Sequence, residues 1–317
     1  MSIKRILCVM MAVMLITVCF CSCSSTENTD KKSGKLSIVT TIFPPYDFAR
    51  QVAGDKAELT MLLKPGTESH NYDPTPQDII KIQNADMFIY VGGESDKWVE
   101  DMLASASKKP KKIIVMMDCV DKLEEEIVEG MQAEEEEHGD EVEYDEHVWT
   151  SPKNAIKISK KICEELKVLD KDNEEFYEKN TNEYSKQLSS LSNDFDNITK
   201  NGKRNTMIFG DRFPFKYFAD EYHLKYYAAF PGCSSETEPS AATVAFLIDK
   251  VKEEKIPVVF TIEFSSGKIA DTICESTGAK KLMMHSCHNI TQEQFESGIT
   301  YIELMRNNLS VLKEALS

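Results

Sequence analysis

From Lys153 to Asn201 the chain contains neither Gly nor Pro. So long a stretch without breakers reads as helix, and Ser151-Pro152 ahead of it supplies a capping serine and a proline at the first helical position. Within it Tyr177, Thr181, Tyr184, Leu188, Leu191, Phe195 and Ile198 recur in steps of four and three, a heptad-like apolar stripe. Such a stripe serves either a coiled-coil dimer or a helix packed within its own chain, and the flanks favour the second. Four strand-like runs precede it (Leu36–Thr41, Glu58–Leu63, Met87–Val91, Ile113–Met116) and four follow (Thr206–Phe209, Tyr226–Phe230, Val258–Ile262, Leu282–Met284). Helical patterns separate the runs within each set, the signature of parallel sheets with helical crossovers. The expected fold is α/β: two lobes, each a mostly parallel four-stranded sheet flanked by helices, joined by one long rigid helix. The lobes are drawn at 35–150 and 204–317, with a helical segment at 151–203 between them.

The N-terminus bears on the compartment. Lys4 and Arg5 precede an apolar run from Ile6 to Phe20, followed by Cys21-Ser22-Cys23-Ser24-Ser25. The run is short for a membrane span and has the layout of a secretory signal peptide, here residues 1–22. A small residue directly before a cysteine is where bacterial lipoproteins are cleaved and acylated. Cys23 is the favoured position, with Cys21 and Cys19 as alternatives, and 23–34 becomes a lipidated polar tether. This places the protein outside the cytoplasm, held on the outer face of the membrane. Loss of the signal segment removes two basic residues and no acid, deepening a net charge of −16. Nucleic acid is excluded as a partner on that ground. The five cysteines after Cys23 (Cys119, Cys163, Cys233, Cys274 and Cys287) form no CxxC pair, which excludes a dense disulfide framework but not a single bridge.

Residues 124–146 read EEEIVEGMQAEEEEHGDEVEYDE, with no Lys or Arg and one histidine, His138. Such a run is expected to be a disordered, solvated loop. It serves either as a solubilising insertion or as a mobile collector of cations, with His138 as its imidazole.

The chain has six histidines, and their positions carry the functional reading. His70 lies in KPGTESHNYDPTPQDI, between the end of a predicted strand and a helix start at Thr75-Pro76 capped with Asp78. Open α/β sheets place ligands at such carboxyl ends of strands. His147, in YDEHVWTSP, stands directly before the helix that begins at Ser151-Pro152. His285 and His288, in LMMHSCHN, follow the last strand. Singly, each is an ordinary loop histidine. Together they set imidazoles at strand ends and helix starts of both lobes, and imidazole suits zinc among first-row metals. His223, at the end of an amphipathic helix, reads as structural.

The segments IVTTIFPPYDFARQVAG, LLKPGTESHNYDPTPQDI, NADMFIYVGG, DEHVWTSP, ETEPSAATVAFL and HSCHN, with the closing amphipathic helix Tyr301–Leu316, resemble the zinc and manganese cluster of solute-binding lipoproteins of bacterial ABC importers. The likeness covers essentially the whole mature chain and leans to the zinc-type branch. It implies a monomer that holds one metal between two lobes and hands it to a membrane permease, with Zn2+ favoured over Mn2+. It implies His70 and His147 as ligands. The third family ligand follows a strand in a segment of the form His-x-x-Phe or Glu-x-x-Phe. Here that segment is IFGDRFPFKYFADEY, which lacks a histidine, so Asp211 is the expected occupant, with Arg212 beside it. His285 is the expected fourth ligand, with His288 as its rival, and Glu263 is read as orienting a ligand histidine. Cys233 and Cys287 are the candidate disulfide, and Cys287 thiolate coordination is the competing reading. The alternatives to an importer component are a manganese-type relative, a zinc hydrolase, for which no HExxH motif is present, and a surface adhesin.

Overall fold

The computed structural model describes residues 34–67, 72–132, 142–234 and 238–317. The signal segment and most of the tether lie outside the described residues. Gly34 and Lys35 belong to an N-terminal unit, and Leu36–Ser317 forms a second compact unit.

The first sheet consists of β1 (Leu36–Thr40), β2 (Ala57–Met61), β3 (Met87–Tyr90) and β4 (Lys112–Val115), in the order β2-β1-β3-β4. The second consists of β5 (Thr206–Phe213), β6 (Lys225–Pro231), β7 (Val258–Thr261) and β8 (Lys280–Met283), in the order β6-β5-β7-β8. Every pairing is parallel, and all eight strands fall on the runs expected from sequence. In both sheets the strand order reverses direction beside the first strand. That opens a crevice at the carboxyl ends of the central strands, where side chains from several loops converge. The crossovers of the first half are α1 (Phe43–Ala53), α2 (Pro76–Asn84) and α3 (Lys97–Ser105); those of the second are α6 (Lys216–Tyr222), α7 (Ala241–Glu253) and α8 (Lys268–Thr277). Helix α2 begins with the expected capping box, in which Thr75 and Asp78 satisfy each other's backbone N–H. His223 ends α6 in a left-handed conformation, a structural role as read from sequence.

The stretch without Gly and Pro forms two helices, α4 (Pro152–Leu169) and α5 (Glu174–Asn201). The break comes from Asp170, whose carboxylate accepts from Asn173 Nδ2 and Tyr177 OH at 2.7 Å each, local bonds that compete with continuing the helix. Helix α5, 28 residues and thus about 42 Å long, is the link between the halves. Its stripe from Tyr177 to Phe195 is buried inside the chain, so the coiled-coil alternative does not apply. The chain closes with α9 (Gln292–Ser297) and α10 (Tyr301–Leu316).

One hydrophobic core runs through both halves, from Ile38 and Phe48 through Tyr184 and Leu188 to Phe209 and Leu316. A buried polar tie crosses it. Asp47 on α1 accepts from Arg50, Gln51 and the backbone N–H of Tyr301 at the start of α10. Burial raises the Asp47 pKa, and Arg50 and the Tyr301 N–H oppose that rise.

The acidic segment departs from expectation. Glu124 pairs antiparallel with Tyr144, the Glu125 N–H donates to Glu143 O and the Asp145 N–H to Leu123 O. Lys216 and Lys250 pair with Glu126 and Glu129, and the Gln132 N–H donates to Ala229 O on the edge strand β6. Charges absent within the run come from the second half, so 124–132 and 142–146 are docked and ordered. His138 lies in 133–141, outside the described residues.

Candidate metal centre

His147 is held from several sides. Its backbone N–H donates to Asp145 Oδ1 at 2.8 Å, and its carbonyl accepts from Thr150 Oγ1 at 2.8 Å in a 3-10 turn, Val148–Thr150. Ser151 then caps α4. Trp149 in this turn donates from Nε1 to Ser286 O at 2.8 Å, and its carbonyl accepts from Tyr301 OH at 2.7 Å. The turn is thus tied to the loop that follows β8.

That loop, from Met284 to Ile290, carries both remaining candidate histidines. Asn308 on α10, which is 1% exposed, clamps His285 by accepting its N–H and donating to its carbonyl, both at 2.7 Å. His285 Nδ1 accepts the N–H of Cys287 at 2.9 Å, and Cys287 adopts φ 64°, a left-handed conformation unusual for a residue with a side chain. The turn therefore folds the His285 ring back on the loop and carries the chain round to His288. Glu263, after β7, accepts from Ser286 N at 2.7 Å, Ser286 Oγ at 2.6 Å and His288 N at 3.2 Å. It thus holds the backbone of His288, and its Oε1 lies 3.4 Å from His285 Nδ1.

His147 and His288 meet. Their ring centroids are 5.4 Å apart at 87°, and Trp149 lies 5.2 Å from the first and 5.0 Å from the second. Both histidines line a narrow cleft with Thr67, Arg212, Glu263 and Asn289. Asn289 Nδ2 donates to Lys64 O and Thr67 O, and the Gly66 N–H donates to Ile290 O at 2.7 Å. The loop after β2 is thereby fastened to the loop after β8. His70 lies in 68–71, outside the described residues; Thr67 on one side of that gap lines the cleft, and Tyr72 on the other lines a second cavity whose wall includes His288.

Three expectations change. His288 lines the cleft with His147, whereas His285 is not on its lining and has its Nδ1 3.4 Å from Glu263 Oε1. Asp211 also lies elsewhere. A bulge between Phe209 and Arg212 turns its carboxylate onto β7, where it accepts from Thr261 Oγ1 at 2.7 Å. It lines a separate cavity with Ser265 and Lys268, while Arg212, which donates to Ser234 O, reaches the cleft. Cys233 and Cys287 are both free thiols. Cys287 is packed in the core, whereas the Cys233 N–H donates to Glu125 Oε1 beside the acidic segment. Burial and nearby carboxylates push both thiols well above their ordinary pKa. Cys23 lies outside the described residues. Among the described residues no three His, Cys, Asp or Glu side chains are grouped closely enough to hold a metal ion.

The surroundings of His147 are electronegative. Burial alone would lower its pKa, but Asp145, Glu146 and Glu125 outweigh that and raise it. Burial raises Glu146 to about 7 against the Ser95 N–H that it accepts. Glu125 is also raised to about 7, by burial and then by Asp145. Asp145, Glu146 and Trp149 were hidden to sequence reading: the first two stand among thirteen carboxylates, and only their position just before His147 distinguishes them.

Two parallel α/β halves joined by a long helix, with an imidazole from each half in a shared cleft, define a two-lobed solute-binding protein. Residues 38–315 match the family described as zinc-uptake complex component A, periplasmic (ZnuA), and the chain belongs to that family, which is one of binding proteins and not of enzymes. It is 33% identical over 311 residues to the high-affinity zinc uptake system protein ZnuA of Bacillus subtilis, covering 96% of this chain and 95% of that one. It is 34% identical over 308 residues to the zinc-binding lipoprotein AdcA of Streptococcus pneumoniae, covering 96% of this chain and 60% of AdcA. The crystal structure of the Zn(II)-bound ZnuA-like domain of that AdcA aligns with a TM-score of 0.74 over 89% of this chain and 99% of the domain. The laminin-binding protein Lmb of Streptococcus agalactiae, described as bifunctional with adhesin and metal transporting activity, aligns with a TM-score of 0.75 at 26% identity, over 89% of this chain and 100% of Lmb.

Proposed function

We propose that this protein captures Zn2+ outside the cytoplasm in the cleft between His147 and His288 and delivers it to the permease of an ABC importer. The observation that carries the reading is the convergence of two imidazoles, 5.4 Å apart and one from each half, in a cleft whose loops are cross-fastened. His70 is the third ligand, and the support for it is that Thr67, just before the gap, lines the same cleft. Three imidazoles favour zinc over manganese. Asp211 and His285 are set aside in favour of His288, with Glu263 bracing the turn that carries it. Arg212, the neighbour of the expected third ligand Asp211, brings a cation to the cleft wall and no donor pair, so solvent or another small ligand completes the shell. The chain works as a monomer, anchored by a lipid on Cys23 at the outer face of the membrane.

The test is a competition titration of the mature fragment 24–317 with zinc and manganese. One tight zinc equivalent is expected, with affinity lowered by at least about 100-fold in His147→Ala and in His288→Ala. Unchanged affinity in either variant, or tighter manganese binding, contradicts the reading. An adhesin role alone predicts that removing the permease leaves zinc-limited growth unaffected; delivery predicts that growth is lost.

A further inference from the structure

We infer that Asp145 is the positioning residue of the centre, a carboxylate that fixes the orientation and tautomer of His147 and so dictates which ring nitrogen meets the metal. The inference rests on the reading of His147 as a ligand.

Asp145 is 1% exposed and so is His147. One carboxylate oxygen, Oδ1, accepts the backbone N–H of His147 at 2.8 Å and lies 3.3 Å from its Nδ1. A carboxylate this deeply buried needs such partners, and the pairing ties ring and main chain to one point. The backbone of Asp145 is itself anchored. Its N–H donates to Leu123 O at 3.0 Å, and its carbonyl accepts from Tyr217 OH at 3.0 Å. The same tyrosine oxygen accepts the Leu123 N–H at 3.1 Å. Tyr217 belongs to α6 of the second half, so the ring of His147 is referenced to both halves.

Gly232 packs against the pair. A Cβ there would lie 3.1 Å from both Asp145 Oδ2 and His147 Nδ1, and 2.9 Å from Phe213 O. The loop backbone therefore presses on the pair, and only glycine leaves it room. The two neighbouring carboxylates have other work: Glu146 accepts the Ser95 N–H at 2.9 Å and Glu125 the Cys233 N–H at 3.2 Å.

A carboxylate facing Nδ1 keeps the proton on that nitrogen and leaves Nε2 with its lone pair, the neutral form that ligates metal, and makes it a stronger donor. In chain terms, the second residue before the ligand sets how well the ligand works.

The experiment uses the mature protein with its histidines labelled with 15N. Tautomers are read from long-range 1H–15N correlations in the metal-free state, and zinc affinity from competition with a chelator. Wild type is expected to show His147 protonated at Nδ1. Asp145→Ala is expected to give mixed tautomers and a loss of zinc affinity of about 10–100-fold. Asp145→Asn, which keeps an acceptor for the backbone N–H and carries the test if the alanine variant does not fold, is expected to show the same shift in smaller measure. Wild-type affinity with an unchanged tautomer in both variants overturns the proposal. His147→Ala separates the two levels: if it abolishes binding while the Asp145 variants are silent, the positioning role alone fails. If it leaves affinity unchanged, His147 is no ligand and the proposal falls with that reading.

Discussion

Replacing Asn308 by leucine should remove the support of the whole turn that presents His288. The side chain is buried on α10, and its amide makes two 2.7 Å bonds to the backbone of His285, one accepted and one donated. Leucine keeps the branched shape, with more bulk, but leaves a buried N–H and a buried carbonyl without partners. Each such group costs about 1–3 kcal/mol, so the pair predicts a loss of about 3–4 kcal/mol after allowing for the added apolar contact. Urea unfolding of the metal-free protein, followed by the fluorescence of Trp98 and Trp149, measures it directly; the midpoint should fall with an unchanged slope. Asn308→Asp refines the point. It keeps an acceptor for the His285 N–H but sets a carboxylate oxygen against the carbonyl, and should lose a similar amount. Zinc affinity should drop in both variants, because His288 lies three residues further along the same turn. A loss below about 1 kcal/mol, with zinc affinity unchanged, would refute the reasoning that this clamp holds the turn.

Three further outcomes follow from the same geometry. Glu125 and Glu146 have folded-state pKa values raised to about 7, so their favourable contribution is present below the unfolded carboxyl value and is lost as pH climbs toward 7. The metal-free protein should therefore weaken between pH 5 and pH 8, by up to about 3 kcal/mol per group, and Glu146→Gln should flatten that slope. The raised His147 acts in the same direction on stability, while zinc affinity should rise over that range as the imidazole loses its proton; a flat or rising metal-free stability curve would count against both. Gly232→Ala, whose Cβ would crowd Asp145 and His147, should lower zinc affinity about 10-fold in a chelator competition, since a misplaced ligand loses metal. Asp211→Asn should leave zinc affinity within about 2-fold, because this carboxylate is turned onto Thr261; a large loss would return it to the ligand set.

The sheets were legible because a buried parallel strand is a short apolar run between breakers, and all eight runs were of that kind. The linking helix was legible from the stripe Tyr177–Ile198, but not the break at Asp170, which depends on a carboxylate finding Asn173 and Tyr177 in three dimensions. The site was half legible. That His147 and Glu263 come to line one cleft followed from their positions relative to strand ends and helix starts. Which of His285 and His288 lines that cleft did not, since between them the backbone turns left-handed at Cys287, where nothing in a cysteine announces positive φ. Asp211 misled for a related reason: the bulge at Gly210 re-aims it, and that glycine is required because a Cβ would fall 2.6 Å from the Ala270 backbone on α8. The acidic segment read as solvated because its counter-charges, Lys216 and Lys250, are distant in sequence.

The central claim is that zinc is held by His147 and His288. Zinc K-edge X-ray absorption on the loaded mature protein counts imidazole ligands directly. The account predicts a shell of nitrogen and oxygen donors without sulfur, which loses one imidazole in His288→Ala and keeps the full imidazole count in His285→Ala. A sulfur ligand, or loss of the imidazole in His285→Ala instead, would contradict it.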